Sequence, residues 1–285
     1  MKINTISPDE ADYTKILTTI AKSPKSLHYI GKLPERRAPT VAIVGTRRPT
    51  SYGKEVTHRL SFDLAKRGMI IVSGLALGVD ALAHAAAIEA GGTTVAVLGN
   101  GLPDIQPSSN RALGESIIAH GGAIISEYPD GEDARPYYFL ERNRIVAGLA
   151  DAIIITEATS RSGTLNTAAR ALEQGKEIFV VPGNITSPLS QGCNALLKQG
   201  ARVVTDYRDV LDVIAPSMDS AQAILPLGQN ELETAILTCI AQGERDGEAM
   251  LRTLGVDATE FSTALTMLEL SGAIKPLGGN RWTLR

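Results

Sequence analysis

DAIIITEATSRSGTLNTAARALEQG, residues Asp151 to Gly175, is the stretch whose reading decides the fold. It opens on Ala152-Ile153-Ile154-Ile155, a short apolar run of the kind that a strand buried on both faces of a parallel sheet requires. It closes on a helical pattern from Thr164 to Gln174, with Gly175 as the expected C-terminal cap. Between the two lies Glu157-Ala158-Thr159-Ser160-Arg161-Ser162-Gly163. A loop that leaves a strand and enters a helix sits at the carboxyl edge of the sheet, where open α/β folds bind their ligands. Gly163 and the first free N–H groups of the helix form one kind of anion site. Arg161 adds a fixed positive charge, and Ser160, Ser162 and Thr164 add hydroxyls. The alternative is an ordinary strand-to-helix turn with Ser or Thr as its N-cap.

The same unit repeats upstream and downstream. Val41–Val44 reads as a strand followed by Gly45-Thr46-Arg47-Arg48, and then a helix with Val56, Leu60 and Leu64 on one face that ends at Gly68. Met69–Val72 leads into Ser73-Gly74-Leu75-Ala76-Leu77-Gly78 and an alanine-rich helix from Val79 to Ala90. Thr94–Leu98 is followed by Gly99-Asn100-Gly101. Ala123–Ser126, Glu177–Val181 and Arg202–Thr205 complete the strands. Strands alternating with helical segments predict βαβ units and an α/β domain with a mainly parallel sheet over residues 39–215. Residues 1–38 read as a short helical preface, with Ser7 as N-cap and Pro8 at the first helical position. Residues 216–225 read as a linker. Residues 226–285 turn helical, with apolar sets at Leu232, Ile236 and Ile240, at Met250, Leu251 and Leu254, and at Phe261, Leu265 and Leu268. The tail turns at Gly278-Gly279-Asn280, so three helices and a hairpin outline a winged helix.

Most of these strand-to-helix turns carry glycine, which lets a backbone approach a ligand closely or take positive φ. Several along one edge point to a cleft for something with repeated anions, while a single one needs only the turn. Neither G-x-G-x-x-G nor G-x-x-x-x-G-K-[ST] is present, so the dinucleotide and ATP readings lose their main support. His28, His58, His84 and His120 are scattered, and none pairs with Cys or carboxylate at metal spacing. His84 reads as structural, with a place facing the cleft as the alternative. No catalytic residue, cofactor or metal is expected. The densest segment is Arg135-Pro136-Tyr137-Tyr138-Phe139-Leu140-Glu141-Arg142-Asn143-Arg144, where Arg142–Arg144 are expected to open a helix. Aromatics among arginines suit single-stranded nucleic acid, with bases on rings and cations on phosphates.

Net charge is −3 over 285 residues, so the whole molecule is not a basic nucleic-acid binder. From Arg36 to Asp212 the charges balance at 18 basic and 18 acidic, whereas from Pro226 onward 5 basic face 8 acidic. An acidic winged helix reads as a protein-binding or regulatory module rather than a DNA-gripping one. Cys193 and Cys239 lack metal or disulfide spacing, the N-terminus lacks a signal-peptide core, and no apolar run reaches the ~20 residues of a membrane helix. A cytoplasmic protein without a membrane partner is the expectation.

Val44-Gly45-Thr46-Arg47-Arg48 with Tyr52-Gly53, Ser73-Gly74-Leu75-Ala76-Leu77-Gly78-Val79-Asp80, Leu98-Gly99-Asn100-Gly101, Ser126-Glu127-Tyr128-Pro129, Phe139–Val146, Thr156-Glu157-Ala158, Ser162-Gly163-Thr164 and Val181-Pro182-Gly183 together resemble the DNA-processing protein A (DprA/Smf) family. The tail is similar to that family's winged-helix extension. The resemblance implies an extended Rossmann-like fold, single-stranded DNA binding, loading of the RecA recombinase onto incoming DNA in natural transformation, a homodimer, and no catalytic step. Together with the residue reading it puts the DNA site at Gly45, Thr46, Arg47, Arg48, Gly74, Ala76, Gly78, Arg135, Phe139, Arg142, Asn143, Arg144, Arg161, Ser162, Gly163 and Thr164. Many members carry a larger helical domain where this chain has residues 1–38. The rival resembles the phosphoribohydrolases that cleave nucleotides on the same fold. Of their Gly-Gly-x-Gly-Thr loop only Gly163-Thr164 remains here, and Ala168-Ala169 stand where a carboxylate is wanted, which leaves Glu157 or Glu141 as substitutes.

Overall fold

A computed structural model describes residues 2–216, 230–241 and 243–284. The chain divides into two compact units, Met1–Pro216 and Ser217–Arg285. The expected linker, from residue 217 on, lies outside the described residues.

The first unit is built on one nine-stranded sheet. Its strands are β1 (Asn4–Ile6), β2 (Leu27–Gly31), β3 (Thr40–Val44), β4 (Ile70–Ser73), β5 (Thr94–Val97), β6 (Ala123–Ser126), β7 (Ala152–Ile155), β8 (Glu177–Val180) and β9 (Arg202–Val203). Their order across the sheet is β1-β2-β6-β5-β4-β3-β7-β8-β9. From β6 to β9 every pairing is parallel. The helices are α1 (Ser51–Lys66), α2 (Val79–Glu89), α3 (Arg111–Ala119), α4 (Pro136–Leu149), α5 (Thr164–Glu173), α6 (Gln191–Lys198) and α7 (Arg208–Ile214). Every residue of β3, β4, β5 and β7 is buried, as strands covered on both faces must be. β7 pairs Ala152–Ile155 with Val41–Val44 on one side and with Glu177–Val180 on the other. After β3 the chain steps to β4, β5 and β6 on one side. It then returns through α4 to place β7 on the other. The loops that leave β3 and β7 therefore diverge, and a crevice opens at their carboxyl ends.

Two expectations need correction. Residues 1–38 are not a helical preface. They supply β1 and β2, which pair antiparallel with each other and, through β2, with β6. Between them lie only the short 3₁₀ turns Pro8–Glu10 and Lys15–Thr19. The Ser7-Pro8 start signal does close a first turn, where Ser7 N–H donates to Glu10 Oε2 at 2.8 Å. Leu17 and Ile20 are buried in the main core beneath α4 instead of lining a longer helix. The second correction concerns α4, which begins at Pro136 rather than at Arg142. Proline at the first position fits there because its missing N–H would have had no partner.

The second unit follows the expected pattern. α8 (Glu231–Ala241), α9 (Gly247–Leu254) and α10 (Ala258–Leu270) precede the antiparallel pair β10 (Ile274–Pro276) and β11 (Trp282–Leu284). Asp246 caps α9 by accepting the Ala249 N–H, and Asp257 caps α10 by accepting the N–H groups of Thr259 and Glu260. Gly255 ends α9 at φ +63, and the hairpin turns through Gly278, Gly279 and Asn280, all at positive φ. Ile236, Met250, Phe261, Leu265 and Leu268 form its core.

Candidate nucleic-acid interface

The crevice predicted by the topology holds a cleft of about 220 Å³. Four segments build it: Gly45-Thr46-Arg47 after β3, Gly74 and Ala76 after β4, Phe139 to Val146 on α4, and Ser162-Gly163-Thr164 at the start of α5. Glycine is required where these segments meet. A Cβ on Gly78, whose φ is +79, would stand 2.5 Å from the Thr46 carbonyl oxygen and 2.6 Å from the Arg47 carbonyl carbon. A Cβ on Gly74 would strike the Arg142 guanidinium at 2.4 Å. Either substitution would push the β4 loop away from its neighbours.

Glu157 joins the loops that leave β3 and β7. Its carboxylate accepts the Thr50 hydroxyl at 2.6 Å and the Thr50 N–H at 2.9 Å, while its carbonyl accepts the Thr46 N–H at 2.8 Å. Thr50 in turn caps α1 by accepting the Gly53 N–H. Beneath the cleft, Asp80 is 7% exposed and accepts N–H groups from Gly74 and Ala76. Burial pushes its carboxyl above the ordinary aspartate value, against the pull of the neighbouring Arg142 and of those N–H groups. Arg142 is 5% exposed and donates to the carbonyls of Gly74 and Val97. Burial lowers its pKa, opposed by the Asp80 charge. The two residues fix the β4 loop from below.

Of the residues named from sequence, Gly45, Thr46, Arg47, Gly74, Ala76, Phe139, Arg142, Asn143, Ser162, Gly163 and Thr164 line this cleft. Arg47 is exposed, with its guanidinium carbon 6.0 Å from the centre of the Phe139 ring. Phe139 is half-buried, and its ring fits against the backbone at Gly99, where a Cβ would stand 3.0 Å from Cδ1. Five do not line it. Gly78 supports the loop from behind. Arg144 is held in a bidentate pair with Glu127 at 2.9 and 2.6 Å. Arg135 is exposed and pairs with Glu132 at 3.0 Å. Arg48 and Arg161 are exposed, with no ion-pair partner among the described residues. Tyr138 stacks on Tyr128 at 3.9 Å between ring centres.

The α5 N-terminus offers fewer free donors than its sequence suggested. Ser162 Oγ accepts the Thr164 N–H at 3.1 Å, and the N–H groups of Leu165 and Asn166 bond to Ser162 and Gly163. The Gly163 N–H has no partner among the described residues. Sequence reasoning passed over Asp80, Leu140 and Thr167, which also line the cleft. Asp80 carried a signal, an acidic residue in the first turn of a helix that follows Gly78. His84 does not reach the cleft. It is fully buried, with Nδ1 2.6 Å from the Thr94 hydroxyl, and desolvation lowers its pKa to about 3.

The family model for DNA recombination-mediator protein A matches residues 4–215, and that for the DprA winged helix domain matches residues 215–280. The chain belongs to the DNA recombination-mediator protein A (DprA/Smf) family. Protein Smf of Synechocystis sp. is 38% identical to it over 92% of this chain and 71% of that one, and Protein Smf of Escherichia coli is 35% identical over 98% and 77%. Among solved structures, DprA of Streptococcus pneumoniae aligns with a TM-score of 0.70 at 39% identity over 75% of each chain. DNA processing protein A of Helicobacter pylori, described for its single-stranded DNA binding mode, aligns at 0.66 and 33% identity over 76% of this DprA/Smf chain and 97% of that one.

Proposed function

We propose that the cleft binds single-stranded DNA, with the Arg47 side chain and the Gly163 N–H on phosphate and the exposed face of Phe139 against a base. The protein would then act, as a homodimer in the cytoplasm, as a mediator that loads the RecA recombinase onto single-stranded DNA entering in natural transformation. The observation that carries this reading is the pairing of an exposed arginine with a half-exposed aromatic ring at the rim of a glycine-lined cleft. Support also comes from the Helicobacter pylori relative, whose structure concerns single-stranded DNA. Among the described residues no helix is long and apolar enough to cross a membrane.

The phosphoribohydrolase alternative needs a carboxylate facing the cleft. Glu157 is engaged with Thr50, Glu141 does not line the cleft, and Asp80, which does, is held by two backbone N–H groups. The test is a binding titration with single-stranded and blunt duplex oligonucleotides at two salt concentrations. Tighter single-strand binding that weakens with salt is expected, and duplex preference or salt independence overturns the reading. Free base released from nucleoside monophosphates in a parallel incubation would favour the enzyme.

A further inference from the structure

A second cavity, of about 460 Å³, opens at the same carboxyl edge, between α1 and the loop that follows β8. Its volume lies within the range of small-ligand clefts, about 300–1,000 Å³. Tyr52 on the first turn of α1 forms one wall and is 48% exposed. Its hydroxyl donates to the Pro182 carbonyl at 3.0 Å, which fixes the ring beside the β8 loop. Ser190 lines the opposite side. It is only 6% exposed, yet its hydroxyl makes no hydrogen bond among the described residues. Gly183 gives it room, since a Cβ there would stand 2.2 Å from Ser190 Oγ. The Ser187 hydroxyl, which likewise has no partner among the described residues, and the exposed Asn184 complete the polar side.

An aromatic ring held at a fixed angle, faced by uncommitted hydroxyls on a buried floor, fits the flat apolar face and polar edge of a nucleobase. The cavity carries no cationic side chain in its lining, so it does not fit a phosphate. We propose that it is a second base subsite for the strand held in the first cleft, with Tyr52 as the stacking platform and Ser190 and Ser187 as partners for the base edge. The proposal rests on the single-stranded DNA reading above. The sheet supplies the continuity. The first cleft straddles the ends of β4, β3 and β7, and the second lies at the ends of β7 and β8, on the next stretch of the same edge. The Glu157 side chain, which borders the second cavity, and its carbonyl, which holds Thr46 in the first, tie the two together.

The experiment measures affinity for oligothymidylates of increasing length in the full chain and in Tyr52→Leu, Ser190→Ala and Phe139→Leu variants, each checked by thermal melting. Separately, strands carrying a single 5-iodouracil are photocrosslinked and the modified residue is mapped by mass spectrometry. The expected results are a gain in affinity with length that Tyr52→Leu removes, at a cost of about tenfold on the long strands, and a crosslink at Tyr52 from a base further along the strand than the one that marks Phe139. Phe139→Leu should weaken short and long strands alike. If the unaltered protein binds no oligonucleotide, the single-stranded DNA reading itself fails. If it binds, but folded Tyr52→Leu keeps full affinity at every length and no base crosslinks to Tyr52, only the second subsite fails.

Discussion

Arg47 and Phe139 meet at the rim of the cleft, and their chemistry separates what each contributes. Arg47 is exposed, so Arg47→Ala should leave the melting temperature unchanged and weaken binding for every base sequence alike, because a phosphate contact carries no sequence information. The slope of log K against log salt should fall by about 0.7 for one lost contact to a single strand. Phe139→Ala should weaken binding by ~1–3 kcal/mol with the slope unchanged, the signature of a lost stacking surface. Its half-buried ring also packs at Gly99, so melting of the variant decides between roles. A collapse by roughly 3–5 kcal/mol would mark Phe139 as packing and remove it from the site. His84 makes a prediction of another kind. Buried and neutral, it has a folded pKa of about 3, below the ~6.5 of the unfolded chain. The unfolded state therefore binds the extra proton, and the stability this group contributes is complete above pH 6.5 and lost as pH falls toward 3. Between pH 7 and pH 5 the loss should be about 2 kcal/mol, and His84→Gln should flatten that part of the denaturant-stability profile.

At the scale of elements, the winged helix is where charge and fold disagree. α10 stands where such a fold carries its recognition helix, and it presents Glu260 and Glu269 with no Lys or Arg. A chain ending at Pro216 should therefore keep most of the single-strand affinity of the full chain, measured on the same oligonucleotide. Equal affinity in the isolated tail would overturn this reading. The elements also show what one sequence reveals. The bounds of β7 were legible because its all-apolar run admits nothing else, and α5 and the hairpin were legible because Gly175 and Gly278-Gly279 punctuate them. β1 and β2 were not. Asn4–Ile6 is only three residues long, and Leu27–Gly31 alternates weakly, so both owe their conformation to β6, which lies nearly a hundred residues away from β2. The burial of Arg142 and the pairing of Arg144 with Glu127 were equally hidden, since residue type and spacing do not reveal which arginines of a cluster point inward. Sequence did mark the strand-to-helix turns, and those after β3, β4 and β7 assemble one cleft, whereas Gly99 and Gly101 after β5 stay out of its lining and the β8 loop lines the second cavity.

At the scale of the whole molecule, net charge −3 means that the average field repels a polyanion, so the electrostatic part of any affinity for DNA has to come from a local excess of cations. Ion pairing and position together narrow where that excess lies. Arg37, Arg67, Arg111, Arg135, Arg144, Arg170, Arg202 and Arg208 are each paired with a carboxylate. Of the arginines without one among the described residues, Arg36 and Arg59 lie away from the β3 and β7 loops, which carry Arg47, Arg48 and Arg161. If these three make the phosphate contacts, the salt slope for a single strand should be about −2, so a tenfold rise in salt weakens binding about a hundredfold. Replacing all three with alanine should bring the slope close to zero and leave only the binding due to stacking and backbone donors. The three are exposed, so the variant should melt normally. A slope that stays near −2 in the folded triple variant would mean that the phosphates run over some other surface. The carboxyl edge of the sheet would then no longer be the path of the strand.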